Sequence, residues 1–257
     1  MSTAQRRALN GLVDSQLLLG ERVVVDKRQG TWAHVVVPDQ PTPLDGRGYP
    51  GWIPLVQLVF EAPAQTGRDA VVVRPTAWVY AVDGVTRLVE VSMGTRLRSA
   101  ASDSVWVHVD LPDGRVAQLR AADAAVVATG GAALPASATD VVHTAQLFAG
   151  LPYLWGGTSG FGFDCSGFTH LAYAMRGVTI PRDADAQARA GVAVARTDLQ
   201  PGDLVFFAHN GLVHHVGIYV GNNTMLSSLQ TGSPVELSSL SAQPFASEYA
   251  GARRYLP

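Results

Sequence analysis

Pro152-Tyr-Leu-Trp-Gly-Gly-Thr-Ser-Gly-Phe-Gly-Phe-Asp-Cys-Ser-Gly-Phe168 holds the only cysteine of a 257-residue chain, and the fold is read outward from it. The glycines allow a sharp backbone approach. Asp164 offers a side chain suited to an N-cap, so Cys165 falls on the first residue of a helix. There the positive end of the helix favours thiolate over thiol, and thiolate is the form that attacks a carbonyl carbon. Phe168, Leu171, Ala172 and Met175 recur at i, i+3, i+4 and i+7. That spacing predicts a helix with one buried face, and Gly177 stands where a C-terminal stop belongs.

A lone cysteine is ordinarily a small buried hydrophobe. A second stretch argues otherwise. His214-His-Val-Gly-Ile-Tyr-Val-Gly221 alternates as a strand, with Val216, Ile218 and Val220 toward one face and His215, Gly217 and Tyr219 toward the other. An imidazole far along the chain from a helix-start cysteine suits nucleophilic catalysis, because base and thiol must meet in space rather than in sequence. His214 falls on the opposite strand face. His34, His108, His143, His170 and His209 read as ordinary surface or core histidines. The adjacent histidine pair is a poor metal site, since neighbouring strand residues point apart and no Cys or Asp/Glu cluster has ligand spacing. No metal is expected.

These residues resemble the NlpC-type papain-like peptidases, which cut bacterial cell-wall peptides. The resemblance runs from about residue 140 to the end. It rests on Tyr153-Leu-Trp-Gly-Gly157, Asp164-Cys-Ser-Gly-Phe168, Pro181-Arg-Asp183, Gln200-Pro-Gly-Asp-Leu-Val-Phe-Phe207 and His215-Val-Gly-Ile-Tyr-Val-Gly221, in that order. It implies an α+β papain-like cysteine peptidase domain over residues 138–257, acting without a cofactor. The implied reaction is hydrolysis of the bond between the γ-carboxyl of D-glutamate and a diamino acid of a murein peptide. Lysine and diaminopimelate both remain open as that diamino acid.

The resemblance also assigns roles. Cys165 is the nucleophile and His215 the base. Relatives commonly carry His, Asn or Gln twelve residues after the base, where this chain has Ser227. Its hydroxyl can accept the imidazole N–H, with Gln230 as a rival and a backbone carbonyl or water as a third possibility. The Cys165 N–H is a natural oxyanion donor, and the Tyr153 hydroxyl resembles the tyrosine that stands beside it in the family. Asp164 and Ser166 flank the thiol and would contact the peptide, although Asp164 reads equally well as a cap alone. Asp183 resembles a substrate-contacting acid, with Ala184 where a serine usually follows.

Upstream, residues 1–65 carry strand-like runs at Leu17–Leu19, Glu21–Asp26, Trp32–Val37 and Gly51–Val56. Their order resembles a bacterial SH3-like barrel of five or six strands. Residues 66–130 repeat the pattern loosely, with hairpin-type signals at Asp83-Gly and Pro112-Asp-Gly, and read as a second such barrel. Linkers are expected over Ala62–Gly67 and Ala128–Ser137. In relatives of this architecture the first barrel closes one end of the cleft and supplies an acid and a tyrosine for a free L-alanine amino terminus. Tyr49 is the candidate phenol and Asp14 the candidate acid, with Glu21 as substitute; a turn-packing aromatic and a solvated acid are the plainer alternative. End capture would make the enzyme a recycler of released peptides rather than a trimmer of the intact wall.

Composition bounds the remaining classes. The chain is 47% hydrophobic and 16% charged, ordinary for a globular protein. A net charge of −2 suggests neither a nucleic-acid footprint nor an anionic membrane partner. One cysteine excludes an intrachain disulfide. No apolar run of signal-peptide type begins the sequence, and none approaches a membrane span, so a cytoplasmic location is expected. Oligomeric state is not legible. A non-catalytic wall-binding protein would keep the barrels and lose the Cys–His pair. A papain-like amidase or acyltransferase on another substrate would keep the pair without needing Asp14 and Tyr49.

Overall fold

Short β-branched runs punctuated by glycine turns produce three antiparallel sheets and one small hairpin in the computed structural model, which describes residues 1–60 and 67–256. A short capped helix, α1 (Thr3–Arg7), precedes the first sheet, β1 (Val24–Gln29), β2 (Trp32–Val37) and β3 (Tyr49–Pro54), paired in that order. Ala33, Val35, Val36 and Val37 are buried, and Tyr49 opens β3 opposite Val37. Among the described residues this unit therefore has three strands rather than five or six. The Leu17–Leu19 run predicted as a strand is irregular instead. Its Leu18 side chain packs against the core that surrounds the cysteine helix, so the apolar residues serve contact between units rather than a ladder. The first predicted linker falls, apart from Gly67, outside the described residues.

The second sheet has seven strands: β4 (Arg68–Val72), β5 (Thr76–Tyr80), β6 (Arg87–Ser92), β7 (Arg96–Ser102), β8 (Trp106–Asp110), β9 (Val116–Arg120) and β10 (Ala124–Ala128). Their order is β10-β4-β7-β8-β9-β5-β6. Ala70, Val72, Val79, Leu97, Val107, Val109 and Leu119 form its own core. Val71 and Met93 face outward into the core of the third unit, so the two units share buried apolar surface. Strand β10 carries alanines that blur the alternation by which a strand is read from sequence.

The third unit begins with α2 (Ala138–Gln146), then the hairpin β11 (Thr158–Ser159) and β12 (Gly162–Phe163), α3 (Cys165–Ala174) and α4 (Ala184–Arg189). A six-stranded sheet follows, from β13 (Val192–Val194), β14 (Leu204–His209), β15 (Leu212–Gly221), β16 (Thr224–Ser228), β17 (Val235–Ser239), a short α5 (Phe245–Glu248) and β18 (Tyr249–Arg254). The order is β13-β18-β14-β15-β16-β17. Helices precede an antiparallel sheet, as an α+β unit requires. Helix α3 is buried all round from Ser166 to Tyr173 rather than on one face. The sheet covers one side, and Leu171 meets Gly94 of the second unit on the other. Helix α4 starts at Ala184, after a bend at Arg182 and Asp183 in which the Arg182 side chain is fully buried. Among the described residues no helix is long and apolar enough to cross a membrane.

Candidate active site

The sulfur sits where the sequence predicts it, at the first residue of α3. Asp164 adopts extended backbone angles and accepts a hydrogen bond from Gly167 N–H at 2.6 Å, an N-cap that typically contributes about 1 kcal/mol. The approach to this cap is tight. A Cβ at Gly167 would lie 2.1 Å from the Gly157 carbonyl oxygen, so only glycine fits. Cys165 is half-buried, and the backbone N–H groups of Val216 and Ser166 donate toward its sulfur. Val216 directly follows His215, so α3 and β15 bring the thiol to the strand that carries the imidazole.

His215 is buried on β15, facing Phe207 and Phe245 at ring distances of 5.8 and 6.1 Å. Its Nε2 lies 3.2 Å from Ser227 Oγ on β16. The neighbouring strands are registered by Asn222 and Asn223, whose φ values of 50° and 55° make the tight hairpin turn between them. Gly217 keeps the space between the strands open, since a Cβ there would be 3.2 Å from Ser227 Cβ. Gln230 does not reach the ring; its backbone is engaged with Ser233 in the following turn. His214 points away and meets Glu248 at 3.2 Å.

Burial pushes the Cys165 thiol up to about 12, with the Asp164 carboxylate adding to the rise and the two backbone donors opposing it. Burial also pushes His215 down to about 3, with His214 adding to the fall. Either charge alone is disfavoured in this site. Passing the thiol proton to the imidazole creates both charges together, next to donors that already face the sulfur.

Tyr153 is buried near the thiol. Its phenol is pushed up by burial first and by the nearby Cys165 and Asp164 charges second. Ser166 is also buried, and its hydroxyl donates to Asp164 Oδ1 at 3.3 Å. Asp183 stands at the N-cap position of α4 without capping it, and the Tyr49 hydroxyl donates to its Oδ1 at 3.5 Å. Burial raises both the Asp183 carboxyl and the Tyr49 phenol, and the Asp14 charge adds to the rise of Tyr49. The first unit thus places the Tyr49 hydroxyl at Asp183, with the exposed Asp14 carboxylate near Tyr49. Glu21 lies elsewhere, accepting from Leu18 N–H and Gln40 Nε2, and burial pushes its carboxyl up to about 7.

Arg182 escaped the sequence reading, although its tripeptide did not. It is fully buried and bonds Asp164 with both terminal nitrogens, at 3.1 and 2.6 Å, while also donating to Ser166 Oγ. Its Nε donates to Ser15 Oγ in the first unit at 3.0 Å. An arginine between a proline and an acid gives no local sign of burial, so only the folded contacts identify it. No group of three or more His, Cys, Asp or Glu able to hold a metal occurs among the described residues.

Ser227 is completely buried beside the His215 ring, yet its short side chain holds the ring by one neutral hydrogen bond, typically about 1 kcal/mol. Ser227→Ala is therefore expected to lower kcat less than about tenfold with KM unchanged. Steady-state kinetics on the murein tripeptide check this, and loss of all activity in a folded variant would contradict it.

The NlpC/P60 family profile matches residues 150–254, and the profile of the YKFC SH3b2 domain matches residues 72–126. The chain is 44% identical over 252 residues to a gamma-D-glutamyl-L-lysine dipeptidyl-peptidase of Bacillus cereus, covering 95% of this chain and 76% of that protein. A protein of the same name from Bacillus subtilis is 40% identical over 248 residues, covering 95% of this chain and 82% of that one. The crystal structure of an NlpC/P60 family protein from Bacillus cereus superposes with a TM-score of 0.94 at 42% identity, covering all of this chain and 87% of the other. With identity spread over all three units and the thiol helix and histidine strand inside the matched segment, the chain belongs to the NlpC/P60 family of cysteine peptidases.

Proposed function

We propose that this protein hydrolyses the γ-D-glutamyl–diamino acid bond of murein peptides that carry a free N-terminal L-alanine. The observation that carries the reading is the meeting of two units at one cleft. Cys165 and His215 come from the third unit, while Tyr49 comes from the first and reaches Asp183, with the Asp14 charge near Tyr49. The names of the relatives in both Bacillus species support the same bond.

In this reading His215 takes the thiol proton as Cys165 attacks the γ-carbonyl, and Ser227 holds the ring by Nε2. The Cys165 N–H and the Tyr153 hydroxyl stabilise the developing oxyanion. The imidazolium then protonates the leaving α-amine of the diamino acid, and water attacks the thioester with His215 again as base. Both proton transfers use one side chain, so the cycle closes without a cofactor. Asp164 and Ser166 border the peptide beside the thiol, and Asp183 lines the next position.

Asp14 and Tyr49 accept hydrogen bonds from the substrate ammonium, which fixes where the chain of the substrate begins. A closed end of this kind measures two residues to the scissile bond. It suits small released peptides, and the reading includes recycling of such peptides in the cytoplasm. The three units are taken as residues 1–65, 66–130 and 138–257, a division that the separate sheets support.

The test compares L-Ala-γ-D-Glu-L-Lys with its N-acetylated form. The free peptide is expected to have a kcat/KM at least about a hundredfold higher, since acetylation removes the charge that Asp14 meets, and charge-assisted bonds are each worth about 1.5–3 kcal/mol. Equal cleavage of both would contradict the end capture. Cleavage of neither would favour a wall-binding protein or a different amide.

A further inference from the structure

Asp14 forms no hydrogen bond or ion pair among the described residues, so its position is set by its neighbours. On one side Val13 lies over Gly156, which has φ +70° and no room for a side chain: a Cβ there would be 2.9 Å from Val13 Cγ1. On the other side Ser15 and Gln16 are tied down by polar contacts. Thr158 donates its N–H to Gln16 Oε1 at 3.1 Å and its hydroxyl to the Gln16 carbonyl at 3.0 Å.

Two further ties of this segment go to Gln40, which is 2% exposed. Its Oε1 accepts from the Ser15 hydroxyl, and its Nε2 donates to the Gln16 carbonyl at 2.8 Å and to Glu21 Oε1 at 3.1 Å. Ser15 Oγ in turn accepts from Arg182 Nε, and the next residue after Gln40, Pro41, accepts the Arg182 backbone N–H at 2.9 Å. Arg182 holds the Asp164 cap of the cysteine helix. A continuous, partly buried path therefore runs Gln40–Ser15–Arg182–Asp164–Cys165, with Asp14 adjoining its second member.

We propose that Gln40 is a specificity-determining positioning residue. It fixes Asp14 at a set distance from the nucleophile helix and so sets the preference for a peptide with a free amino terminus. The inference rests on the end-capture reading above. A glutamine meets the requirement because one side chain must accept from a hydroxyl and donate twice, to a carbonyl and to a carboxylate. Methionine matches its length and offers none of these contacts. Without them the Asp14–Gln16 segment loses its register relative to Cys165, and the loss falls on binding of the ammonium rather than on the proton transfers at the thiol.

The experiment measures kcat and KM of the wild type and Gln40→Met on L-Ala-γ-D-Glu-L-Lys and on its N-acetylated form. The expected result is a KM for the free peptide raised at least about tenfold, kcat within about twofold, and unchanged kinetics on the acetylated form. The free-to-acetylated ratio then falls by the same factor. A ratio within twofold of the wild type would overturn the proposal, and so would an equal loss on both peptides, which is the mark of a merely structural role. If the wild type itself shows no preference, the end-capture reading fails and this inference falls with it. If the wild type discriminates and Gln40→Met does not fold, Ser15→Ala is measured in its place. It removes both bonds of Ser15 Oγ, to Gln40 and from Arg182, and is held to the same shift in ratio.

Discussion

Cys165→Ala is expected to lower kcat/KM for the murein peptide by at least about 10,000-fold while the chain stays folded. The residue is half-buried and contributes one small side chain to a core fixed by Phe163, Phe168 and Leu171, so the fold does not depend on its sulfur. The chemistry does. The same pair has a pH signature. In the proposed mechanism thiolate and imidazolium form together by internal transfer, which neither takes up nor releases a proton. Burial holds the imidazole low and the thiol high, so over the range between them the charged fraction of such a pair is expected to stay constant with pH.

Alkylation of Cys165 by iodoacetamide should accordingly run at a nearly constant rate from about pH 5 to about pH 9. In His215→Ala the thiol must lose its proton to solvent, and the rate should rise about tenfold per pH unit over the same range. A steep rise in the wild type would mean that the imidazole does not take the proton.

Arg182→Met is expected to cost about 3–5 kcal/mol of stability, the effect of removing one partner from a buried ion pair. Asp164 would keep its bond from Gly167 N–H but lose both guanidinium bonds, and Ser15 and Ser166 would each lose a donor. Urea unfolding followed by circular dichroism measures the loss. Adding Asp164→Asn to the same chain should recover part of it, because the uncompensated carboxylate is then gone. A loss under about 1 kcal/mol would show that the pair does not hold the cap. The peptidase unit would be affected first, since the cap begins the helix on which the whole cleft is built.

The parts of the site that were legible in the sequence are those that depend on neighbours in the chain. An N-cap acid before a cysteine, and a strand with adjacent histidines, carry their geometry locally: the structure starts a helix at Cys165 and buries His215 on a strand while His214 stays exposed. Pairings across the chain were less legible. Ser227 and Gln230 could not be separated by spacing, because the choice depends on strand register set by the Asn222-Asn223 turn. Arg182 carries no local sign of its burial, which only its partners Ser15 and Asp164 from distant parts of the chain reveal. Leu17–Leu19 misled for a related reason. An apolar run reads the same whether it joins a ladder or fills a gap between units, and here Leu18 does the latter. The all-round burial of α3 was hidden because glycine, threonine and serine on its far side mark close approach as readily as solvent.

The most direct test of the account is identification of the bond that is cut. Wild-type enzyme is incubated with L-Ala-γ-D-Glu-L-Lys, and the products are separated and weighed by liquid chromatography and mass spectrometry, with Cys165→Ala as the control. The account predicts the dipeptide L-Ala-γ-D-Glu and free lysine in equal amounts, and neither from the variant. Free alanine with γ-D-Glu-L-Lys, or the same products from Cys165→Ala, would contradict it.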